Sequence, residues 1–327
     1  MNQYLLYPGC SMESSAKAYH LSLMEIIKPL GFQMDEIEDW NCCGATEYVG
    51  ISLTPAYALI GRNLALAARQ AKGKATVVAP CSACYLNLAK ADYYMNERPT
   101  LGTNVNKALA AGGLHYDPGS LTIRHLLDVI INDIGLDYVK QQVVQPLKGL
   151  RVAPYLGCMV PRPDYDHRWS GYEYPTELDR LLKALGAEVI DFPLKTECCG
   201  GHMPQISTTT AFELIRRLLH DADMYHADLM VTVCPMCQMN LDAYQGETNR
   251  HFKTKYHIPI LFFTQLMGLA FGIDAKKLGI GLELVSAKAA LAKIGVEVPE
   301  EEAQKQTKRV KKEGLPMPQM PGGEEGQ

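Results

Sequence analysis

Ten cysteines are the residues best equipped for chemistry in this chain, and all ten fall into one pattern that occurs twice. The first copy is Cys10, then Cys42-Cys43, then Cys81-x-x-Cys84; the second is Cys158, then Cys198-Cys199, then Cys234-x-x-Cys237. The opening MNQYLLYPGC lacks the basic and apolar regions of a secretory signal. The expected compartment is therefore the cytoplasm, where thiols stay reduced and clustered cysteines point to metal binding or catalysis rather than disulfides. Structural zinc takes four ligands and could be served by C-x-x-C plus C-C. That choice leaves Cys10 and Cys158 without a role and makes two adjacent cysteines share one small ion through a strained ring. Five thiolates per copy suit an iron–sulfur assembly better, because adjacent cysteines can reach different irons.

The elements that must bring these residues together also repeat. YLLYPGCSM answers VAPYLGCMV, WNCCGAT answers ECCGGHM, and TVVAPCSACYLNL answers MVTVCPMCQMNL. A further pair, SLTIRHLLDVI (120–130) and PILFFTQLMGL (259–269), follows in the same order. Such an ordered set marks a duplicated domain with a pseudo-two-fold relation, with a linker near Gln145–Gly149. Short apolar runs at Gln3–Tyr7, Thr76–Ala79, Val152–Leu156 and Leu229–Val233 read as buried strands. Helices are expected over Leu21–Leu30, Pro55–Ala71, Pro175–Leu185 and Thr209–His226, with Gly31 and Gly186 at C-caps, and helices are expected after each C-x-x-C. The alternation predicts an α/β protein of two pseudo-symmetric domains, each a small parallel sheet flanked by helices, plus a flexible C-terminal tail. The expected boundaries are 1–148, 149–285 and a partly disordered extension 286–327. In open parallel sheets the loops at the C-terminal strand ends carry the chemistry. The single cysteines and the C-x-x-C pairs sit at such ends, and Gly44 and Gly200 allow a tight turn in the C-C-G loops.

Composition excludes several other classes. A net charge of −4 with 47% hydrophobic residues gives no basic surplus for nucleic acid and no composition of a disordered chain. The most apolar stretch, Ile258–Phe271, is too short to span a bilayer and holds Thr264 and Gln265. There is no C-x-x-C-x-x-C run of the ferredoxin kind and no Gly-x-Gly-x-x-Gly fingerprint, so if electrons arrive from a donor, another subunit must bring them.

The duplicated C…CCG…C-x-x-C pattern, over about residues 1–275, resembles the B subunit of heterodisulfide reductase, a CCG-domain family. The resemblance implies that each module ligates a noncubane 4Fe–4S cluster. Carried over by position, Cys10, Cys42, Cys43, Cys81 and Cys84 would hold the first, and Cys158, Cys198, Cys199, Cys234 and Cys237 the second. It implies cleavage or formation of a disulfide between the two clusters, with each sulfur taken by one of them. It also implies two partners, a ferredoxin-like C subunit and a flavin-containing A subunit, and a disulfide or lipoyl-carrier substrate. The segments YPGCSMESSAKAY and DWNCCGAT are more like the bacterial forms. The alternative is an electron-relay role, as in CCG-domain systems for lactate or glycolate oxidation and thiol:fumarate reduction.

Beyond the cysteines, His202 after CCGG is a candidate proton donor to a departing thiolate or else a hydrogen-bonded loop histidine; Thr46 takes its place in the first copy. Glu47 and Glu197 flank the C-C-G turns and read foremost as solvated. Arg162, His167 and Arg168 could hold an anionic substrate group or form a salt-bridged surface loop. Met159, Met203, Met236 and Met239 read as soft packing rather than ligands. Pro80 and Pro235 each remove an N–H near the C-x-x-C turns. His125 is expected on a helix face with no role. The tail from Pro299 reads as a short charged helix followed by a Pro/Gly-rich flexible end.

Overall fold

The computed structural model describes residues 3–45, 48–161 and 169–299. Among the described residues eight strands form two four-stranded sheets: β1 (Gln3–Leu6), β2 (Asp35–Glu36), β3 (Ala75–Ala79) and β4 (Leu121–His125), then β5 (Arg151–Tyr155), β6 (Glu188–Val189), β7 (Leu229–Thr232) and β8 (Ile260–Phe262). The orders are β2-β1-β3-β4 and β6-β5-β7-β8, with every pairing parallel. Parallel strands require crossovers and are covered on both faces, which is why β3 and β7 are buried along their whole length. The two sheets repeat one topology, as the duplicated cysteine pattern predicts.

Alternation along the strands divides the core into two layers. Leu5, Val77, Ala79, Ala153 and Met230 face outer helices, including Leu53–Gln70, Ser82–Glu97 and Thr208–Met224. Leu6, Val78, Val152 and Val231 face the other way, into one apolar layer shared by both modules. That inner layer is built by crossing over. The helix Lys17–Ile26 of the first module packs against the helix Phe263–Ala270 of the second, with Ser22 Oγ 2.6 Å from Thr264 Oγ1. The short helix Leu126–Val129 of the first packs against Glu177–Ala184 of the second.

Helix expectations hold with shifted ends. The first expected helix starts earlier, at Lys17, and stops at Ile26; turns then run on to Gly31, which has a positive φ of 60°. Gly186, with φ 88°, follows Glu177–Ala184 as a left-handed cap. One alignment needs correction. Matching the apolar segments by content pairs His125 with Thr264. In the sheets His125 ends β4 opposite Ala79, while Phe262 ends β8 opposite Thr232. Ala79 and Thr232 stand equally far before their C-x-x-C pairs, so His125 corresponds to Phe262 and the match shifts by two residues.

The first part of the C-terminal extension packs closely. Ala287, Ala290 and Leu291 are buried in the shared layer, and the backbone N–H groups of Leu284 and Val285 donate to Asp242. The expected tail helix and flexible end, together with Thr46, Glu47, Arg162, His167 and Arg168, lie outside the described residues.

Candidate metal centres and the contact between them

Each single cysteine follows a Tyr-x-Gly sequence, and each residue of that sequence has a task. Tyr7 and Tyr155 are fully buried. Their hydroxyls donate to the carbonyls of Asn41 (2.6 Å) and Glu197 (2.7 Å), the residues just before the paired cysteines. The strand that delivers Cys10 or Cys158 thus anchors the C-C-G loop as well. The glycines allow the closest approach. A Cβ on Gly9 would stand 2.8 Å from Cys84 Sγ, and one on Gly157 would stand 3.2 Å from Cys237 Sγ, with φ positive at both.

The C-C-G turns have positive φ at Gly44 (77°) and Gly200 (98°), as expected. They are held from the far side by Asn87 and Asn240. The Asn87 amide donates to Cys43 O at 3.2 Å and to Ala45 O, and lies 3.7 Å from Cys43 Sγ. Asn240 donates to Cys199 O at 3.2 Å and Gly201 O at 2.8 Å, and lies 3.6 Å from Cys199 Sγ. These two asparagines were not singled out from the sequence. Their signal is the repeated Asn-Leu one helical turn after each C-x-x-C.

The sulfurs form a run. Cys10 Sγ lies 3.7 Å from Cys42 Sγ, and Cys43 Sγ lies 3.5 Å from Cys84 Sγ. Cys84 neighbours Cys81 closely enough for each to act on the other's thiol, and Cys81 and Cys234 do the same across the module boundary. Cys234 bonds to Cys237, and Cys237 to Cys199. Cys158 and Cys198 lie close enough to Tyr155 to act on its hydroxyl electrostatically, as Cys10 and Cys42 do on Tyr7. Each single cysteine therefore shares a neighbourhood with its C-C-G and C-x-x-C companions. Among the described residues no group of His, Cys, Asp or Glu converges on a position for a single metal ion.

Charge in this array is rationed. Hydrogen bonding with Cys42 and Cys84 pulls the Cys43 thiol down to about 3. Hydrogen bonds from Cys237 and Cys81 pull Cys234 down as well. Cys81, Cys84 and Cys237 are pushed up, first by hydrogen bonding with Cys234, Cys43 and Cys199 respectively. A set of five close thiols, three of them buried, supports one thiolate by hydrogen bonding, but five thiolates only with cations among them. The donor set, all sulfur and spread over several contacts, fits a multi-iron centre in each module.

Access differs between the sets. Cys10 and Cys42 are exposed, whereas Cys158 and Cys198 are half-buried and the other six are buried. A cleft of about 540 Å³ at Cys10 and Cys42 is lined by Glu13, Glu36, Glu38, Asp39 and Trp40. In the second module the loop carrying Cys158 is tied down, since Leu156 and Gly157 N–H both donate to Lys195 O (3.0 and 2.9 Å). Lys195 is itself buried against Asp179 at 2.6 Å.

His202 is half-buried at the start of the one-turn helix Met203–Ile206. Glu197 is exposed. Met159 and Met236 pack against the outer core. Pro235 opens the helix Pro235–Ala243, where a missing N–H costs nothing. His125 departs from expectation. It is the last residue of β4 and caps the following helix, its Nδ1 accepting from Leu127 N–H at 3.1 Å. Burial pushes its imidazole down to about 4, so it is neutral with the proton on Nε2.

The cysteine-rich CCG domain family model matches residues 4–89 and 152–242. The 8-methylmenaquinol:fumarate reductase membrane anchor subunit of Wolinella succinogenes is 33% identical over 87% of this chain and 98% of its own length. The B subunit of the ferredoxin:CoB–CoM heterodisulfide reductase of Methanosarcina mazei is 29% identical over 90% and 97%. An Archaeoglobus profundus protein, named as like the B subunit of heterodisulfide reductase, is 30% identical over 85% and 93%. In fold, the crystal structure of a hypothetical protein from Helicobacter pylori superposes with a TM-score of 0.69 at 13% identity, over 87% of this chain and about half (52%) of that one. Among the described residues no helix is long and apolar enough to cross a membrane. Two matched segments, the relatives along most of its length and the paired sheets place this chain in the CCG cysteine-rich domain family, with the domain in duplicate and the B subunit of heterodisulfide reductase among its relatives.

Proposed function

We propose that this protein is the catalytic iron–sulfur component of a heterodisulfide reductase-like oxidoreductase complex. In this reading Cys10, Cys42, Cys43, Cys81 and Cys84 hold one noncubane 4Fe–4S cluster, and Cys158, Cys198, Cys199, Cys234 and Cys237 hold the other. The observation that carries it is the gathering of five cysteines at the strand ends of each module, with the two sets neighbouring each other at Cys81 and Cys234. Cleaving a disulfide takes two electrons and leaves two thiolates, so two adjacent electrophilic centres match the demand. Bound iron would supply the electrons and the thiolate affinity. The chain's own residues do the rest. Tyr7 and Tyr155 hold the C-C-G loops, Asn87 and Asn240 donate toward Cys43 and Cys199, and His202 is the candidate proton donor beside the second set. A ferredoxin-like C subunit and a flavin-containing A subunit would be the electron partners, the substrate a disulfide or lipoyl-type sulfur carrier, the compartment the cytoplasm, and the type bacterial.

The similarity to the Wolinella membrane anchor protein favours a second reading, in which the chain relays electrons and performs no bond chemistry. One experiment separates the two. Anaerobically purified protein is expected to hold iron and acid-labile sulfide at about four each per module, and its paramagnetic signals should shift when a thiol substrate analogue binds. Signals indifferent to thiols favour the relay. Zinc without labile sulfide defeats both.

A further inference from the structure

Tyr19 lies on the helix Lys17–Ile26 of the first module and is fully buried. Its hydroxyl is 3.1 Å from Pro80 O and 3.3 Å from Val233 O. Those carbonyls immediately precede Cys81 and Cys234, so a single phenolic proton is shared between the strand ends of the two modules. The ring cannot swing away, because it stacks on Phe262 at 4.3 Å and meets Phe263 edge-on at 5.9 Å. His125 lies opposite. Its Nε2 faces the same two carbonyls without completing a hydrogen bond to either, and its ring is 6.3 Å from that of Trp169. The arrangement is crossed. Tyr19 of the first module leans on β8 of the second, and Trp169 of the second leans on the end of β4 of the first. The pair of carbonyls sits at the centre, and each is followed directly by one of the two thiols, Cys81 and Cys234, that act on each other across the module boundary.

We propose that Tyr19 is a positioning residue that fixes the spacing between the two cysteine sets, and through it the electronic coupling of the two metal centres. The inference rests on the reading that both sets carry iron–sulfur clusters. Coupling between redox centres falls steeply with separation, and Cys81 and Cys234 are the two thiols through which the sets act on each other. A hydroxyl bonded to both preceding carbonyls controls that gap directly. The cysteines themselves bring the sets into contact only if their backbones are held, and the Tyr19 hydroxyl binds both backbones at once.

The test compares the full-length wild type with Tyr19→Phe, which keeps the ring and removes the hydroxyl. Ser22→Ala serves as the control, because it removes contacts with Thr264 and with the carbonyls of Ala18 and Tyr19 in the same intermodule layer but leaves the Tyr19 hydroxyl and both strand ends untouched. The first readout is the spin–spin interaction between the two centres in cluster-loaded protein, with iron content measured alongside. The second uses metal-free protein and diamide, which takes two electrons and two protons from a thiol pair and is itself reduced to the hydrazine. Mass mapping then gives the ratio of Cys81–Cys234 disulfide, across the modules, to Cys43–Cys84 disulfide, within the first. Tyr19→Phe is expected to keep its iron, alter the spin–spin splitting and lower the disulfide ratio about five-fold, the equivalent of one net hydrogen bond. Ser22→Ala is expected to move neither readout. An unchanged splitting and ratio in Tyr19→Phe overturns the proposal, as does an equal effect of Ser22→Ala. Protein purified without iron or sulfide would defeat the cluster reading, and the disulfide ratio would still decide whether Tyr19 sets the spacing.

Discussion

The two modules share every cysteine, the Tyr-x-Gly lead-in and the asparagine brace, yet they treat their surroundings differently. Three residues before the paired cysteines the first module has Asp39, at the surface in a salt bridge with Arg62. At the equivalent point the second has Lys195, buried, paired with Asp179 at 2.6 Å and lying 3.9 Å from the centre of the Tyr174 ring. Cys10 and Cys42 open onto an acidic cleft, while Cys158 and Cys198 are half-covered. Duplication has kept the cysteine pattern and changed the access: one site is open to solvent, the other is half-covered and braced from behind by an ion pair.

The largest expected effect tests whether the modules are equivalent as metal sites. Cys84→Ser and Cys237→Ser each remove the sulfur that links its C-C-G pair to its C-x-x-C. Each is expected to lose about half of the bound iron and labile sulfide by chemical analysis. Full iron in either variant would break the parallel between the two sets. Next comes the ion pair. Lys195→Met leaves Asp179 as a buried charge without its partner and should cost about 3–5 kcal/mol in urea unfolding. Arg62→Met, which removes an exposed pair, should cost about 1 kcal/mol or less. Equal losses would erase the distinction between a buttressed and an open module.

The glycines provide a finer comparison. Gly9→Ala and Gly157→Ala both force a side chain into positive φ against a cysteine sulfur. A loss of about 1–3 kcal/mol in thermal stability is expected for each, with Gly9→Ala the worse because its approach to sulfur is closer. The reverse order would show that the second loop is the tighter one. The smallest effect is one of access. In metal-free protein Cys10 should be alkylated faster than Cys158 by about three-fold or more, followed by peptide mass mapping. Comparable rates would mean that the difference in exposure does not govern entry.

Much of the fold could be read in the residues because it is local. The strands before each Gly-Cys and each C-x-x-C are apolar runs of strand length, and Gly186 marks a helix end as its backbone freedom predicts. The repeat made the two sheets legible as copies. The crossed layer between them was not, because nothing in the apolar face of Lys17–Ile26 says that its partner lies far along the chain, at Phe263–Ala270. Tyr19 was not singled out from the sequence for the same reason. The misplacement of His125 has a different origin. Apolar content is alike on both sides of a strand end, so composition could not tell where β4 stops and the helix begins; the pairing of His125 with Ala79 decides it. In the site, cysteine spacing announced the sulfur sets, whereas Asn87 and Asn240 were visible only as a repeated letter whose purpose requires the folded C-C-G loop.

The apolar layer between the sheets has one more consequence, for the origin of the chain. Cut at the linker, either half would present that layer to water, including Leu6 and Val78 on one side and Val152 and Val231 on the other. An unduplicated ancestor would have needed a second copy of itself to cover it, in a two-fold homodimer. Joining the copies in one polypeptide made the partner permanent. It also freed the halves to diverge, so that an open mouth and a braced one could arise from the same gene segment.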